Sequence, residues 1–127
     1  IDYLAREFWS GEIYHISDGK LDFDNVPPHG IILLSARPYR PYRPQYLGSD
    51  LHISQGLEIS SWEADSNELD ITLLRPGIAD GSIVIGSPHP PQLASLDDRK
   101  ITWNPIEDNI YQFELQFNRD ANLHIGF

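Results

Sequence analysis

Side chains that could do chemistry are present in this chain, but they do not converge along it. His15, His29, His52, His89 and His124 stand singly. There is no Gly-x-Ser-x-Gly, no glycine-rich phosphate loop and no His-Glu-x-x-His. A lone histidine in a strand or turn reads as a surface or packed residue before it reads as a ligand. Asp18, Asp22, Asp24 and Asn25 bring oxygen ligands close together, as a calcium site would. The EF-hand order needs glycine at its sixth position, however, and Gly19 falls elsewhere. Asp22 and Asp24 are better read as the solvated face of a strand, with calcium as the alternative. The pairs Asp97-Asp98 and Glu107-Asp108 have the chemistry for acid/base work on a glycoside. Both sit beside turn signals, which account for them more simply. No catalytic residue, metal or cofactor is therefore expected.

The aromatic residues carry a different chemistry. An indole or phenol face suits the C–H face of a sugar ring, and the polar tip suits its hydroxyls. Trp9, Trp62, Trp103, Tyr39, Tyr42 and Tyr46 are the candidates. Trp9 and Trp103 lie in strand-like stretches and are expected in the core, given the area a tryptophan buries. Trp62 and Tyr42 lie in polar or proline-rich surroundings and are the candidates for stacking against carbohydrate.

The elements that must position these residues are strands. Tyr3–Trp9 opens one, Ser10-Gly11 breaks it, and Glu12–Ile16 alternates as a second. Ser17-Asp18-Gly19-Lys20 is a hairpin signal. Val26-Pro27-Pro28-His29-Gly30 is a tight turn. It delivers the most apolar run, Ile31–Leu34, as the start of a long central strand buried on both faces. Pro38-Tyr39-Arg40-Pro41-Tyr42-Arg43-Pro44 repeats Pro-Tyr-Arg and should cross the surface as an extended connection, with a proline-rich recognition peptide as the alternative. Gln45–Gly48 reads as a short strand and Leu51–Glu63 as a long one bulged near Gly56. Glu68–Leu74, Ser82–Gly86, Leu93–Leu96, Arg99–Trp103, Ile110–Phe117 and Leu123–Phe127 follow. Turns are expected at Asp65–Asn67, Arg75-Pro76-Gly77, Asp97-Asp98, Asn104-Pro105 and Asn118–Asn122. About ten short strands without a convincing helix predict an all-β fold, an antiparallel β-sandwich with Greek-key connections.

The 127 residues fit one domain, 1–127, with one core. A formal charge of −10 argues against nucleic acid or an anionic membrane as partner and tolerates neutral sugars. No apolar run approaches the ~20 residues of a membrane span. The chain has no cysteine, which excludes disulfides and thiolate chemistry and fits a reducing, cytoplasmic compartment. No secretory signal is visible. It also begins Ile1-Asp2-Tyr3 without methionine, as a piece of a longer polypeptide would.

Three phrases occur in order: Phe8-Trp9-Ser10-Gly11-Glu12, Val26-Pro27-Pro28-His29-Gly30-Ile31-Ile32-Leu33-Leu34, and Leu47-Gly48-Ser49-Asp50-Leu51-His52-Ile53-Ser54-Gln55-Gly56. Their order resembles the C-terminal β-domain that follows the catalytic (β/α)8 barrel in melibiase-type α-galactosidases and related glycoside hydrolases. The resemblance runs from Phe8 to the end of the chain. Such families cleave terminal α-galactosides with two aspartates on the barrel, and no motif here matches those aspartates. The resemblance therefore implies a non-catalytic accessory domain that packs on a catalytic barrel of the same polypeptide and stabilises it. A carbohydrate-binding module, touching glycan through Trp62 or Tyr42, is the alternative.

Overall fold

The computed structural model describes residues 2–20, 33–52, 54–65 and 67–127. The turn expected at Val26–Gly30, the oxygen-bearing residues Asp22, Asp24 and Asn25, and Ile31-Ile32 lie outside them. The described chain is an all-β, antiparallel β-sandwich, as its alternation predicts.

Three strands, β1 (Tyr3–Glu7), β2 (Ile13–Ile16) and β3 (Leu34–Pro38), form a small sheet in the order β2-β1-β3. The remaining strands are β4 (Gln45–Ser49), β5 (Ile59–Ala64), β6 (Glu68–Gly86), β7 (Leu93–Leu96), β8 (Arg99–Lys100), β9 (Trp103–Glu107) and β10 (Ile110–Gly126). They build a seven-stranded sheet around the order β4-β6-β10-β7-β8, with β5 on β6 and β9 on β10. The long return of β10 to lie beside β6 is the non-local connection expected of this class.

Two strands are long rather than short. β6 runs 19 residues and β10 runs 17, paired from Ile110 opposite Gly86 to Gly126 opposite Glu68. The turns expected at Arg75-Pro76-Gly77 and Asn118–Asn122 are not chain reversals. They face each other across one bulge: Asn118 pairs with Ile78 and Asp120 with Leu74, so Arg75–Gly77 oppose Arg119 alone. Pro76 offers no N–H to a ladder, and Gly77 and Arg119 take positive φ of 78° and 72°. These residues bend both strands instead of ending them.

The bend closes the large sheet over its own core. Leu69, Ile71 and Leu73 from the first half of β6 share one buried cluster with Ala79, Ile83 and Ile85 from the second half. From β10, Phe113, Leu115, Phe117, Ala121, Leu123 and Ile125 join them. A second, smaller core lies on the opposite face, where Val84 and Ile110 meet Leu47 and, from the small sheet, Leu4. Since strand side chains alternate, Ile83 and Ile85 enter one core and Val84 the other. Among the described residues, Ile83–Ile85 is therefore a strand segment buried on both faces. Leu34, expected in that role, is 40% exposed on β3, which pairs with β1 alone among the described strands.

Three further expectations are corrected. Of Leu51–Glu58, the described residues are not strand. Gln55 N–H donates to the His52 carbonyl, Gln55 has a φ of 53°, and the strand begins only at Ile59. Asn104-Pro105 is no turn, because β9 runs through it. Tyr111 of β10 lies opposite Pro105, on a strand that pairs with β10 alone among those described, where a missing N–H is tolerated. Trp9 is not a core residue: it stands 55% exposed in the turn after β1, edge-on to Phe8. Trp103, by contrast, packs on the main core beside Phe113.

Candidate functional site

The Pro-Tyr-Arg segment connects β3 to β4, as expected of a surface crossover. Its prolines restrict the backbone, and the Arg43 N–H reaches the Arg40 carbonyl at 3.5 Å to close a turn around Pro41 and Tyr42. Gln45 braces the two ends. Its carbonyl oxygen accepts from the Arg40 N–H at 3.0 Å, and its amide donates to the Pro38 carbonyl. A loop held this way presents its side chains in a fixed arrangement.

Tyr42 is one of the exposed side chains of this loop, at 70%. Arg40 Nη1 donates to its hydroxyl at 3.4 Å, and the Arg43 guanidinium lies 6.0 Å from its ring centre. The Arg40 hydrogen bond, with the charges of Arg40 and Arg43, holds the Tyr42 phenol below its ordinary value. Across from the loop, β5 carries Trp62, opposite Ile71 of β6. Trp62 packs one side on the main core and is only half buried.

The two aromatic candidates meet. Tyr42 and Trp62 line the same open groove of about 930 Å3, together with Arg37, Arg40, Arg43 and Asp65. Nothing in their spacing of twenty residues announces this. It follows from the pairing of β4 and β5 with opposite halves of the bent β6. Arg37 lies 4.8 Å from the Tyr46 ring centre and donates to the Gln55 carbonyl at 2.8 Å. Asp65 shapes the backbone: its Oδ1 accepts from the Asn67 and Glu68 N–H groups at 2.8 Å each and turns β5 into β6.

Behind the groove is a buried polar node that sequence reasoning missed. Arg6 of β1 donates from Nη1 to the Ser49 carbonyl and to Gln55 Oε1, both at 3.0 Å. Gln55 Nε2 donates back to the Arg6 carbonyl at 3.0 Å. The Glu58 carboxylate accepts from the Tyr46 and Ser49 hydroxyls. Burial, and then the Glu58 charge, pushes the Tyr46 phenol upward. Burial also lowers the Arg6 pKa, against the opposing pull of Asp50, Tyr46 and Glu7. Asp50 accepts the Ser82 N–H at 2.7 Å and so holds the end of β4 to β6. Gly48 is required here because a Cβ would come within 2.4 Å of Gln55 Oε1 and 2.7 Å of Arg6 Cδ. The sequence signal for the node was the break in alternation near Gly56.

The other candidates take structural places. Asp97 and Asp98 form the two-residue turn from β7 to β8, both at positive φ, and Asp97 accepts the Asn122 N–H. Glu107 closes β9 and meets His15 of the small sheet. His124 Nδ1 lies 2.8 Å from Asp70 Oδ1. His52 Nδ1 accepts the Ser54 N–H within its turn. Among the described residues no three His, Asp or Glu side chains are placed to hold a metal ion. No helix there is long and apolar enough to cross a membrane.

No family model matches this chain, and neither a curated protein nor a solved structure matches it.

Proposed function

We propose that the chain is a non-catalytic β-sandwich domain of an α-galactosidase-like glycoside hydrolase, packing on a catalytic (β/α)8 barrel of the same polypeptide and stabilising it. The observation that carries this reading is the use made of the phrase Leu47–Gly56. Leu47 fills the second core, Ser49 and Gln55 clamp Arg6, and Asp50 ties β4 to β6. The residues that carry the family resemblance are engaged in holding two sheets together. Leu57, Leu74 and Ile78, all exposed on or beside the first half of β6 and its bend, supply apolar surface of the kind a docked domain covers. The test is hydrolysis of p-nitrophenyl α-galactoside by the complete natural polypeptide and by this chain alone. The reading expects turnover by the first and none by the second. A complete polypeptide without glycosidase activity contradicts it.

A second reading, a module that contacts glycan, is favoured by one observation: Tyr42 and Trp62 face the same groove. Flat titrations across galactosides and other glycans would dismiss it.

A further inference from the structure

We infer that the groove between the Pro38–Pro44 loop and β5 binds an acidic carbohydrate, an oligosaccharide bearing uronate carboxylates. The inference rests on the glycan-contact reading of this groove and adds the charge class of the ligand.

Charge separates the groove from the rest of the molecule. The chain carries −10 overall, with nine basic residues against nineteen acidic ones. Three of those nine, Arg37, Arg40 and Arg43, line this one groove. Three arginines against the single carboxylate of Asp65 leave it locally at +2. Among the described residues no carboxylate lies within salt-bridge distance of any of the three; the basic side chains that do reach carboxylates there are His15 and His124. Asp65 Oδ1 is already engaged by two backbone N–H groups.

The donor chemistry narrows the ligand. A guanidinium offers five N–H donors and no acceptor. A neutral sugar hydroxyl both donates and accepts, so a site for neutral sugars gains from carboxylates and amides. A carboxylate only accepts, and it matches the guanidinium fork. The aromatic pair narrows it further. The exposed Tyr42 ring and the half-buried Trp62 supply apolar faces that a free inorganic anion cannot use and a pyranose ring can. Arginines beside aromatic faces on a proline-braced loop therefore fit a sugar ring carrying a carboxylate. The bracing by Gln45 lowers the ordering cost of binding.

A matched pair of probes tests this. The chain is titrated with α-1,4-linked trigalacturonate and with neutral α-1,4-galactotriose, following tryptophan fluorescence at low salt and at 0.5 M NaCl. Trigalacturonate should bind about tenfold or more tightly than the neutral trimer and should weaken in high salt. Arg40→Gln with Arg43→Gln, or Tyr42→Ala, should each weaken it by about tenfold. All three positions are exposed, so an unchanged circular dichroism spectrum should accompany the loss. Equal affinities for the two trimers, insensitive to salt and to the arginine substitutions, would overturn the acidic assignment and leave the glycan-contact reading standing. Binding of neither trimer would overturn both.

Discussion

Arg6 and Gln55 exchange hydrogen bonds in both directions: Arg6 Nη1 donates to Gln55 Oε1 at 3.0 Å, and Gln55 Nε2 donates to the Arg6 carbonyl at 3.0 Å. Both side chains are buried, and they join β1 of the small sheet to the segment after β4. Because a buried charge without its partner is costly, Gln55→Met should destabilise the chain by about 3 kcal/mol. The double variant Arg6→Met/Gln55→Met should lose less than the sum of the single changes, by at least about 1 kcal/mol. Urea unfolding of the four proteins measures this. Strict additivity would mean that the two side chains do not act as a unit.

Two glycines should respond to alanine for different reasons. At Gly48 the added methyl meets Gln55 and Arg6, which are packed and hydrogen-bonded, so overpacking should cost about 1–3 kcal/mol. At Gly77 nothing lies within 4 Å of a Cβ, but φ is +78°. There the cost is backbone strain alone, about 1 kcal/mol. Serine at each site separates the cases: Gly48→Ser should be worse than Gly48→Ala, and Gly77→Ser should equal Gly77→Ala. Thermal midpoints of the four variants decide it.

Glu7 should make stability depend on pH. Burial pushes its carboxyl upward, but N–H groups of Leu33, Trp9 and Ser10 donate to the carboxylate and outweigh it, so the folded pKa lies below the ordinary 4.5. A depressed folded value contributes stability that is present above the unfolded pKa and lost as pH falls through the folded one. The advantage of the natural chain over Glu7→Gln should therefore be constant above about pH 5 and shrink below 4.5. Unfolding midpoints for both proteins from pH 3 to 7 test this. A difference that stays constant through pH 3 would remove Glu7 as the source.

Much of the fold is legible in the sequence, and the misses share a cause. Clean alternation locates Ile110–Phe117 and Glu68–Leu74, because period two is what a half-buried strand requires. Proline and glycine at 76 and 77 have the local signature of a reversal. They make a bend because an equal irregularity at Arg119 faces them across the sheet, and local sequence does not reveal which irregularities pair. Likewise Ile31–Leu34 and Ile83–Ile85 are equivalent as apolar runs. Only long-range pairing gives the second two buried faces and leaves Leu34 at an edge of the described strands. The polar and proline-rich surroundings of Trp62 and Tyr42 place them outside the core proper, while their shared groove depends on the same pairing. Trp9 misleads because Phe8-Trp9 looks like the end of a strand, whereas Glu7 organises a turn there. Arg6, Gln55 and Glu58 escape notice because polar residues in a broken pattern suggest surface, and here Arg6 and Gln55 bond each other inside while Glu58 accepts from Tyr46 and Ser49.

A related prediction concerns Asp97 and Asp98. Both are at positive φ in a two-residue turn, so Asp98→Gly should be neutral or stabilising and Asp98→Val destabilising by about 1–2 kcal/mol. If these carboxylates did acid/base work on a glycoside, removing either would abolish a hydrolytic activity instead. Thermal midpoints together with a glycosidase assay distinguish the two.

The central claim, a domain that stabilises a catalytic barrel without taking part in its chemistry, is tested most directly by thermal inactivation of the complete polypeptide. The half-life of the α-galactosidase activity proposed for it is compared at elevated temperature between the natural protein and Gln55→Met. The account predicts unchanged kcat/KM at 25 °C and a half-life shortened severalfold. A fall in kcat with an unchanged half-life, or no change in either, would contradict it.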